Sequence, residues 1–123
     1  MKNRAIPRAT LARNLRYLLD REQLSEHQLA KRAGIAQKTV NNMLNQNGSP
    51  TLDNVDKVAA AFGLSMWHMI LPDLPDELLR GNSIERLYRA YIDADHDGRE
   101  HINRIAEREA EYVSKKNPQK DND

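Results

Sequence analysis

Side chains that can hydrogen-bond without carrying negative charge are concentrated between residues 33 and 45. The stretch AGIAQKTVNNML (33–44) contains one lysine, one threonine and three side-chain amides, and no acid. No Asp or Glu occurs between Glu26 and Asp53, although the chain contains 18 acidic residues. A surface without carboxylates can approach a polyanion closely. Chance clustering is the simpler alternative, and charge alone does not decide between the two.

Charge is divided unevenly along the chain. Residues 1–52 contain nine Lys or Arg against three acids, whereas residues 53–123 contain ten against fifteen. The formal net charge of +1 therefore conceals a basic half followed by an acidic half. This division favours a basic N-terminal part that binds a polyanion and an acidic C-terminal part with a different function.

Composition disfavours several classes of function. A chain of 123 residues has room for one domain with an appendage, and it contains no cysteine for disulfides, thiolate metal sites or nucleophiles. No phosphate-binding loop or nucleophile paired with a base is present. The residues after Met1 lack the apolar core of a signal peptide, and no apolar run reaches the length of a membrane span. We expect a soluble, cytoplasmic protein without enzymatic activity or cofactor.

The first half of the chain contains apolar residues at helical spacing. The spacing predicts a helix over residues 11–22 with Thr10 as its N-cap, preceded by a flexible basic arm at residues 1–9. A capping-box pattern, SEHQ, opens a second helix at Ser25, which Gly34 ends. A third helix follows over residues 37–44 and stops at the turn-forming run NQNGSP.

Two more helices complete a compact bundle within residues 10–72. Thr51 is expected to cap a fourth helix, 52–62, and Ser65 a fifth, MWHMIL. The fold class is therefore all-α, a five-helix bundle followed by a C-terminal helical hairpin. The predicted buried stripe of the fourth helix is Leu52, Val55, Val58, Ala59 and Phe62.

The C-terminal part is predicted to be an interaction element. Residues 73–82 are interpreted as a linker, 83–116 as a helical hairpin and 117–123 as a disordered tail. The hairpin has too little core to stand alone, so its apolar faces must dock on something. Candidate dimer contacts are Trp67, for which core packing is the default interpretation, and Ile84, Leu87, Tyr88, Tyr91, Ile102, Ile105 and Tyr112.

Two short helices joined by a glycine-containing turn, the second exposing amides, have the geometry of a helix-turn-helix DNA reader. Ala30 is small where the helices cross, and Gly34 can reach the required turn conformation. Residues 11–71 resemble the lambda-repressor-like domain of the Xre or Cro family through LSEHQLAKRAGIAQKTVNNML and NGSPTLDNVDKVAAAFGLS. About half the chain is covered. A helical bundle with a fortuitous glycine turn is the alternative.

The resemblance implies that the third helix reads bases in double-stranded DNA. Side-chain amides can bond adenine, lysine can donate to guanine, and a facing carboxylate would be repelled by phosphates. The base-reading positions of the family correspond to Gln37, Lys38, Asn41, Asn42 and Asn45. Each of these residues taken singly could be an ordinary solvated polar residue.

The resemblance also implies phosphate contacts around the reading helix. Many relatives place Gln at the first residue of the second helix, where this chain has Glu26, so that phosphate contact is in doubt; Glu26 could complement the helix dipole or pair with a base instead. Lys2 and Arg4 of the arm could reach the minor groove or phosphates, or belong to an untethered leader. The expected phosphate contacts are Ser25, His27, Gln28, Lys31, Arg32, Thr39, Asn47 and Gly48.

One motif resembles the start of a calcium-binding loop but lacks a required ligand. The run DADHDG begins like a calcium loop, but Arg104 stands where the bidentate Glu is needed. His96 and His101 lack partners at zinc-site spacing. We expect a polar turn in which Asp97 caps the last helix, and no metal.

The function expected from the sequence is a DNA-binding transcription regulator, a repressor that binds a palindromic operator as a homodimer, with phage origin one possibility. The alternatives are an antitoxin-type regulator that binds a toxin protein through its C-terminal region, and an adaptor that has lost DNA binding.

Overall fold

The computed structural model describes residues 6–73, 75–79 and 82–116, within which every regular element is helical. The prediction of an all-α fold, with a helical bundle followed by C-terminal helices, is confirmed. The chain forms two compact units that divide between residues 81 and 82. The first unit contains α1 (Pro7–Glu22), α2 (Glu26–Ala33), α3 (Gln37–Leu44), α4 (Leu52–Ala61), α5 (Met66–Ile70) and a 3-10 turn (Asp76–Leu79); the second contains α6 (Ser83–Asp93) and α7 (His96–Lys116).

Helix α1 begins earlier than predicted. It starts at Pro7 rather than at residue 11, so residues 7–9 belong to the helix and not to the arm. Proline has the backbone φ of a first helical turn and lacks an N–H that this turn would leave unpaired. Thr10, predicted to be the N-cap, is instead buried inside the helix, where its N–H donates to the Ile6 carbonyl at 3.0 Å. Lys2, Arg4 and the predicted tail at 117–123 lie outside the described residues.

One apolar core joins the five helices of the first unit. Each helix contributes at least one side chain with no solvent exposure: Leu15, Leu29, Val40, Val58 and Met69. Burying an aliphatic side chain of this size contributes about 1.5–3 kcal/mol to folding. The short helices α2 and α3 are therefore held by packing rather than by helix propensity.

The predicted stripe of α4 is partly wrong. Val55, Val58 and Ala59 are buried and Phe62 is half-buried, but Leu52 is 68% exposed. Leu52 is the first residue of the helix, directly after its cap Thr51, and so projects beyond the turns that pack against other helices. A 3-10 turn ending in the buried Leu79 also lies inside the predicted linker.

A buried asparagine ties α1 to the end of α5. The Asn14 side chain has no solvent exposure, and its Nδ2 donates to the carbonyl oxygens of Met69 at 2.9 Å and Leu71 at 3.3 Å, with that of His68 at 3.4 Å. A helix of five residues cannot pair its own final carbonyls. The Asn14 amide satisfies them inside the protein.

Helices α6 and α7 meet at a turn formed by residues 94 and 95. The Arg99 guanidinium donates from Nε to the Tyr91 carbonyl and from Nη2 to the Ile92 carbonyl, each at 2.9 Å. It thereby pairs carbonyls at the end of α6. None of the described residues in these two helices is buried, so this unit has no apolar core of its own.

The cap of α7 differs from the prediction. The Asp95 carboxylate accepts a hydrogen bond from the Gly98 N–H at 2.7 Å, whereas Asp97 lies within the first turn of the helix. Asp95 occupies the position immediately before the helix, where a side-chain oxygen can reach an unpaired N–H two or three residues ahead. Within the described residues, no helix is both long and apolar enough to span a membrane.

Candidate nucleic-acid interface

The start of α2 is organised by a reciprocal pair of hydrogen bonds. Ser25 Oγ accepts from the Gln28 N–H at 3.1 Å, and Gln28 Oε1 accepts from the Ser25 N–H at 2.9 Å. Two N–H groups at this helix end are thus paired internally. Both side chains, predicted to contact phosphate, are exposed and engaged in this box. His27 beside them is also exposed.

A sharp turn directs α3 away from α2. Gly34 has φ +72°, and its N–H and that of Ile35 both donate to the Ala30 carbonyl, at 2.9 and 3.0 Å. A residue with a Cβ resists this left-handed conformation. The buried side chains of Leu29 and Val40 pack the two helices into the same core. The turn therefore presents the opposite face of α3 to solvent.

The solvent face of α3 carries polar side chains without an acid. Gln37, Lys38, Asn41 and Asn45 are exposed, and Asn42 is half-buried. Helical spacing places residues 37, 41 and 45 in one row along the helix, four residues apart. The row presents amide donors and acceptors that match the hydrogen-bonding groups on the edges of base pairs.

Glu26 is joined to this row. The Asn41 Nδ2 donates to Glu26 Oε1 at 3.0 Å, and the Asn45 Nδ2 donates to Asn41 Oδ1 at 3.0 Å. These bonds connect the first residue of α2 to the middle and the end of α3. Side-chain amides held in this way lose less conformational freedom on meeting a ligand than free ones.

The loop between α3 and α4 flanks the same surface. Gly48 has φ +72°, and both Asn47 and Gly48 are exposed. The Arg8 Nη1 donates to the Gly48 carbonyl at 3.2 Å, which ties the first turn of α1 to this loop. A cleft of about 230 Å³ opens here, lined by Thr39, Asn42, Met43, Asn47, Gly48, Ser49, Pro50, Thr51 and Asn54.

Basic side chains of α2 lie at the edge of the surface. Lys31 and Arg32 are exposed, and Arg32 Nη1 lies 3.8 Å from Glu22 Oε2. An exposed ion pair of this kind contributes little to stability. Arg32 can therefore exchange Glu22 for another anion at small cost.

The candidate dimer residues differ in exposure. Trp67 is half-buried, and its ring stacks on that of His68 with centroids 3.9 Å apart. In the second unit, Leu87 (58%), Tyr88 (57%) and Tyr112 (61%) are the most exposed candidates. Ile105 is 38% exposed, and the remaining three, Ile84, Tyr91 and Ile102, are half-buried.

The calcium-like run does not form a loop. Asp93 ends α6 and His96 begins α7, so two residues alone lie between the helices and cannot wrap around a cation. His96, Asp97 and Glu100 bring ligand atoms within 4.8 Å of one another, but all three are exposed on the first turns of α7. His96 Nε2 lies 3.5 Å from Glu100 Oε1, a contact of ordinary helical neighbours.

Two contacts of the site do not follow from the sequence. Arg8 was assigned to the arm, and its bond to the Gly48 carbonyl spans 40 residues, which no local pattern indicates. The pairing of Glu26 with Asn41 spans 15 residues. Its one sequence signal was the position of Glu26, the last acid before the acid-free segment.

Comparison with known proteins matches this part of the chain. A family model for the helix-turn-helix matches residues 15–66, from the middle of α1 to the start of α5. A curated relative from Neisseria meningitidis serogroup B, described as a "Neisseria hypothetical transcription factor", is 32% identical over 73 residues, which cover 59% of this chain and 67% of the relative. No solved structure matches the chain significantly.

Proposed function

Since this chain belongs to the lambda-repressor-like (Xre) helix-turn-helix family of DNA-binding regulators, we propose that it is a sequence-specific transcription regulator that inserts α3 into the major groove. The observation that carries the proposal is the row of exposed amides on α3, held by the Gly34 turn and free of acids. The family consists of DNA-binding proteins rather than enzymes, in keeping with this activity.

Base recognition is assigned to the solvent face of α3. Gln37 and Lys38 at the start of the helix would enter the groove first, with Asn41, Asn42 and Asn45 further along. Gln and Asn bond the adenine edge through a donor and an acceptor, and Lys donates to the acceptors of guanine.

Phosphate contacts are assigned to the groups around α3. The α2 end provides a helix N-terminus, which attracts anions, and the loop provides the exposed residues Asn47 and Gly48. The Asn47 N–H already donates to the Asn42 carbonyl at 2.9 Å, so a phosphate contact of Asn47 would use its side chain. The residues assigned to phosphate are Ser25, His27, Gln28, Lys31, Arg32, Thr39, Asn47 and Gly48, with Lys2 and Arg4 as proposed arm contacts.

The direct test is selection of binding sites from a random duplex pool at physiological salt. The full chain should enrich a defined sequence, and Gln37→Ala and Lys38→Ala should relax the preference at separate base positions, because each removes one base contact. Lys115→Ala, which removes a charge on α7, is the matched control and should select the same sequence. A folded protein that enriches no sequence would refute the proposal.

We further propose that the protein acts as a homodimer on a palindromic operator and represses by occupying it. The exposed apolar side chains of α6 and α7 support this, because a helical unit without buried residues needs a partner surface. A two-fold dimer would place two copies of α3 in successive major grooves, about one helical turn apart. Such a protein would work in the cytoplasm, at the nucleoid.

The dimer can be tested by sedimentation equilibrium of the full chain. Leu87→Glu should convert the dimer to a monomer, because it buries a charge in the proposed interface. Arg89→Glu introduces the same acid two residues on, towards the opposite side of α6, and should leave the dimer intact. A monomeric wild-type protein would refute the homodimer, and the proposal of DNA binding would still stand.

The same exposed side chains support a second candidate, an antitoxin-type regulator or an adaptor that binds another protein through this region. The salt dependence of duplex binding separates the adaptor from the regulator. A DNA reader shows a steep fall of log affinity with log salt, whereas an adaptor without DNA binding shows no duplex binding. A toxin gene next to this gene, together with capture of its product by α6 and α7, would favour the antitoxin.

A further inference from the structure

Glu26 places a carboxylate beside the solvent face of α3, which carries no acid of its own. It is the first residue of α2 and half-buried, and its Oε1 lies 3.0 Å from Asn41 Nδ2 on the solvent face of α3. Residues 27–52 contain no other acid. The bond to Asn41 holds the Glu26 carboxylate beside the solvent face of α3, so in the proposed complex its charge would face the groove together with Asn41.

The carboxylate determines the direction of the hydrogen bonds along α3. A carboxylate can accept but not donate, so Asn41 must turn its NH2 group towards Glu26. The Asn41 oxygen then faces Asn45, whose NH2 donates to it at 3.0 Å. A glutamine at position 26 could accept or donate, and so would permit either orientation of both amides.

Glu26 retains acceptor capacity beyond this bond. The bond from Asn41 uses one acceptor site on Oε1, whereas an ionised carboxylate offers about four. The cytosine edge offers an amino donor in the major groove, whereas guanine and thymine offer acceptors that a carboxylate repels. Adenine places its N7 acceptor beside its amino group, which opposes a lone carboxylate there. Cytosine is thus the base that suits this group.

We infer that Glu26 is a specificity-determining residue that selects a cytosine amino group in the major groove and rejects base pairs that present acceptors at the same place. The inference rests on the proposed function, since it requires that α3 reads DNA. It assigns Glu26 a contact with base rather than with phosphate, because like charges repel. The carboxylate lowers affinity for duplexes in general and raises discrimination between them.

Site selection with the full chain and three variants tests the inference. Wild-type protein should enrich cytosine at one position of each half-site by about tenfold. Glu26→Gln should shift that position towards adenine, because an amide can both accept from and donate to the adenine edge. Glu26→Ala should lose the preference there, and Asp56→Asn, which removes an exposed acid of α4, should keep the wild-type pattern.

The outcomes separate the inference from the proposed function. If wild type and Glu26→Gln select the same base at every position while Glu26→Ala relaxes the site, Glu26 only positions Asn41 and the inference is overturned. Identical selection by all variants overturns it too, with DNA recognition intact. A wild-type protein that selects no sequence overturns both. Circular dichroism of each variant confirms that it is folded before selection.

Discussion

The two units of this chain are both helical, but they differ in whether their apolar side chains are buried. The first unit buries apolar side chains from five short helices, including several with no solvent exposure, whereas none of the described residues of α6 or α7 is buried. Helix α7 has 21 residues, far more than α2 or α3 with eight each. Length therefore does not decide whether a helix belongs to a stable core. The first unit is stabilised by its own packing, and the second leaves its apolar side chains exposed.

The largest expected effect of a single substitution tests the core of the first unit. Leu29→Ala should lower the free energy of unfolding by about 3 kcal/mol, because it leaves a cavity at a fully buried position. Urea denaturation followed by circular dichroism measures the change. A loss below about 1 kcal/mol would mean that α2 is not part of one cooperative core.

A smaller effect is expected from the buried amide that joins α1 to α5. Asn14→Ala should cost about 2 kcal/mol, since carbonyls at the end of α5 lose their donor inside the protein. Gln37→Ala, which removes an exposed amide on α3, is the control and should cost less than about 0.5 kcal/mol in the same denaturation. Equal losses of unfolding free energy in the two variants would show that the hydrogen bonds of Asn14 do not stabilise the packing of α5.

The turn between α2 and α3 should be sensitive to backbone conformation alone. Gly34→Ala is expected to cost about 1 kcal/mol, because φ is +72° although a Cβ would meet no atom within 4 Å. Gly34→Asn should cost less, since Asn adopts this conformation more readily. Thermal unfolding of the three proteins compares them, and equal melting temperatures would contradict a strained turn.

The smallest effect is expected in the second unit. Leu87→Ala should change the unfolding free energy of dilute protein by less than about 0.5 kcal/mol, because Leu87 is 58% exposed and has no core around it. If a partner copy covers this surface, the effect should grow as protein concentration rises. A loss of several kcal/mol at every concentration would show that α6 and α7 have a core of their own, and would remove the contrast between the units.

The elements predicted correctly from the sequence are those that depend on near neighbours. The capping box at Ser25 and Gln28, the stop at Gly34 and the cap at Thr51 involve groups three residues apart or fewer, or a single backbone conformation. Such features follow from residue type and spacing. The solvent face of α3 was likewise predictable, because apolar spacing indicates which side is buried.

The errors arose where distant parts of the chain decide the outcome. Leu52 follows the apolar spacing of α4 but is its first residue, and it is 68% exposed. Pro7 and Thr10 could be assigned to an arm or to a helix on local grounds, and the burial of Thr10 settles the choice. Asp95 and Asp97 can each cap a helix. Because α7 begins at His96, Asp95 is the residue that caps it.

The sequence by itself determined the helical class, the caps at Ser25 and Thr51, the turn at Gly34, the acid-free segment before Asp53 and the family resemblance, because each depends on residue types at short spacing. Tertiary structure alone decided that Arg8 holds the α3–α4 loop, that Asn14 pairs the end of α5 and that Glu26 bonds Asn41. These contacts join residues 15 to 55 positions apart. Only packing of the core brings such residues together, since hydrogen-bonding groups this far apart in sequence have no local geometry in common.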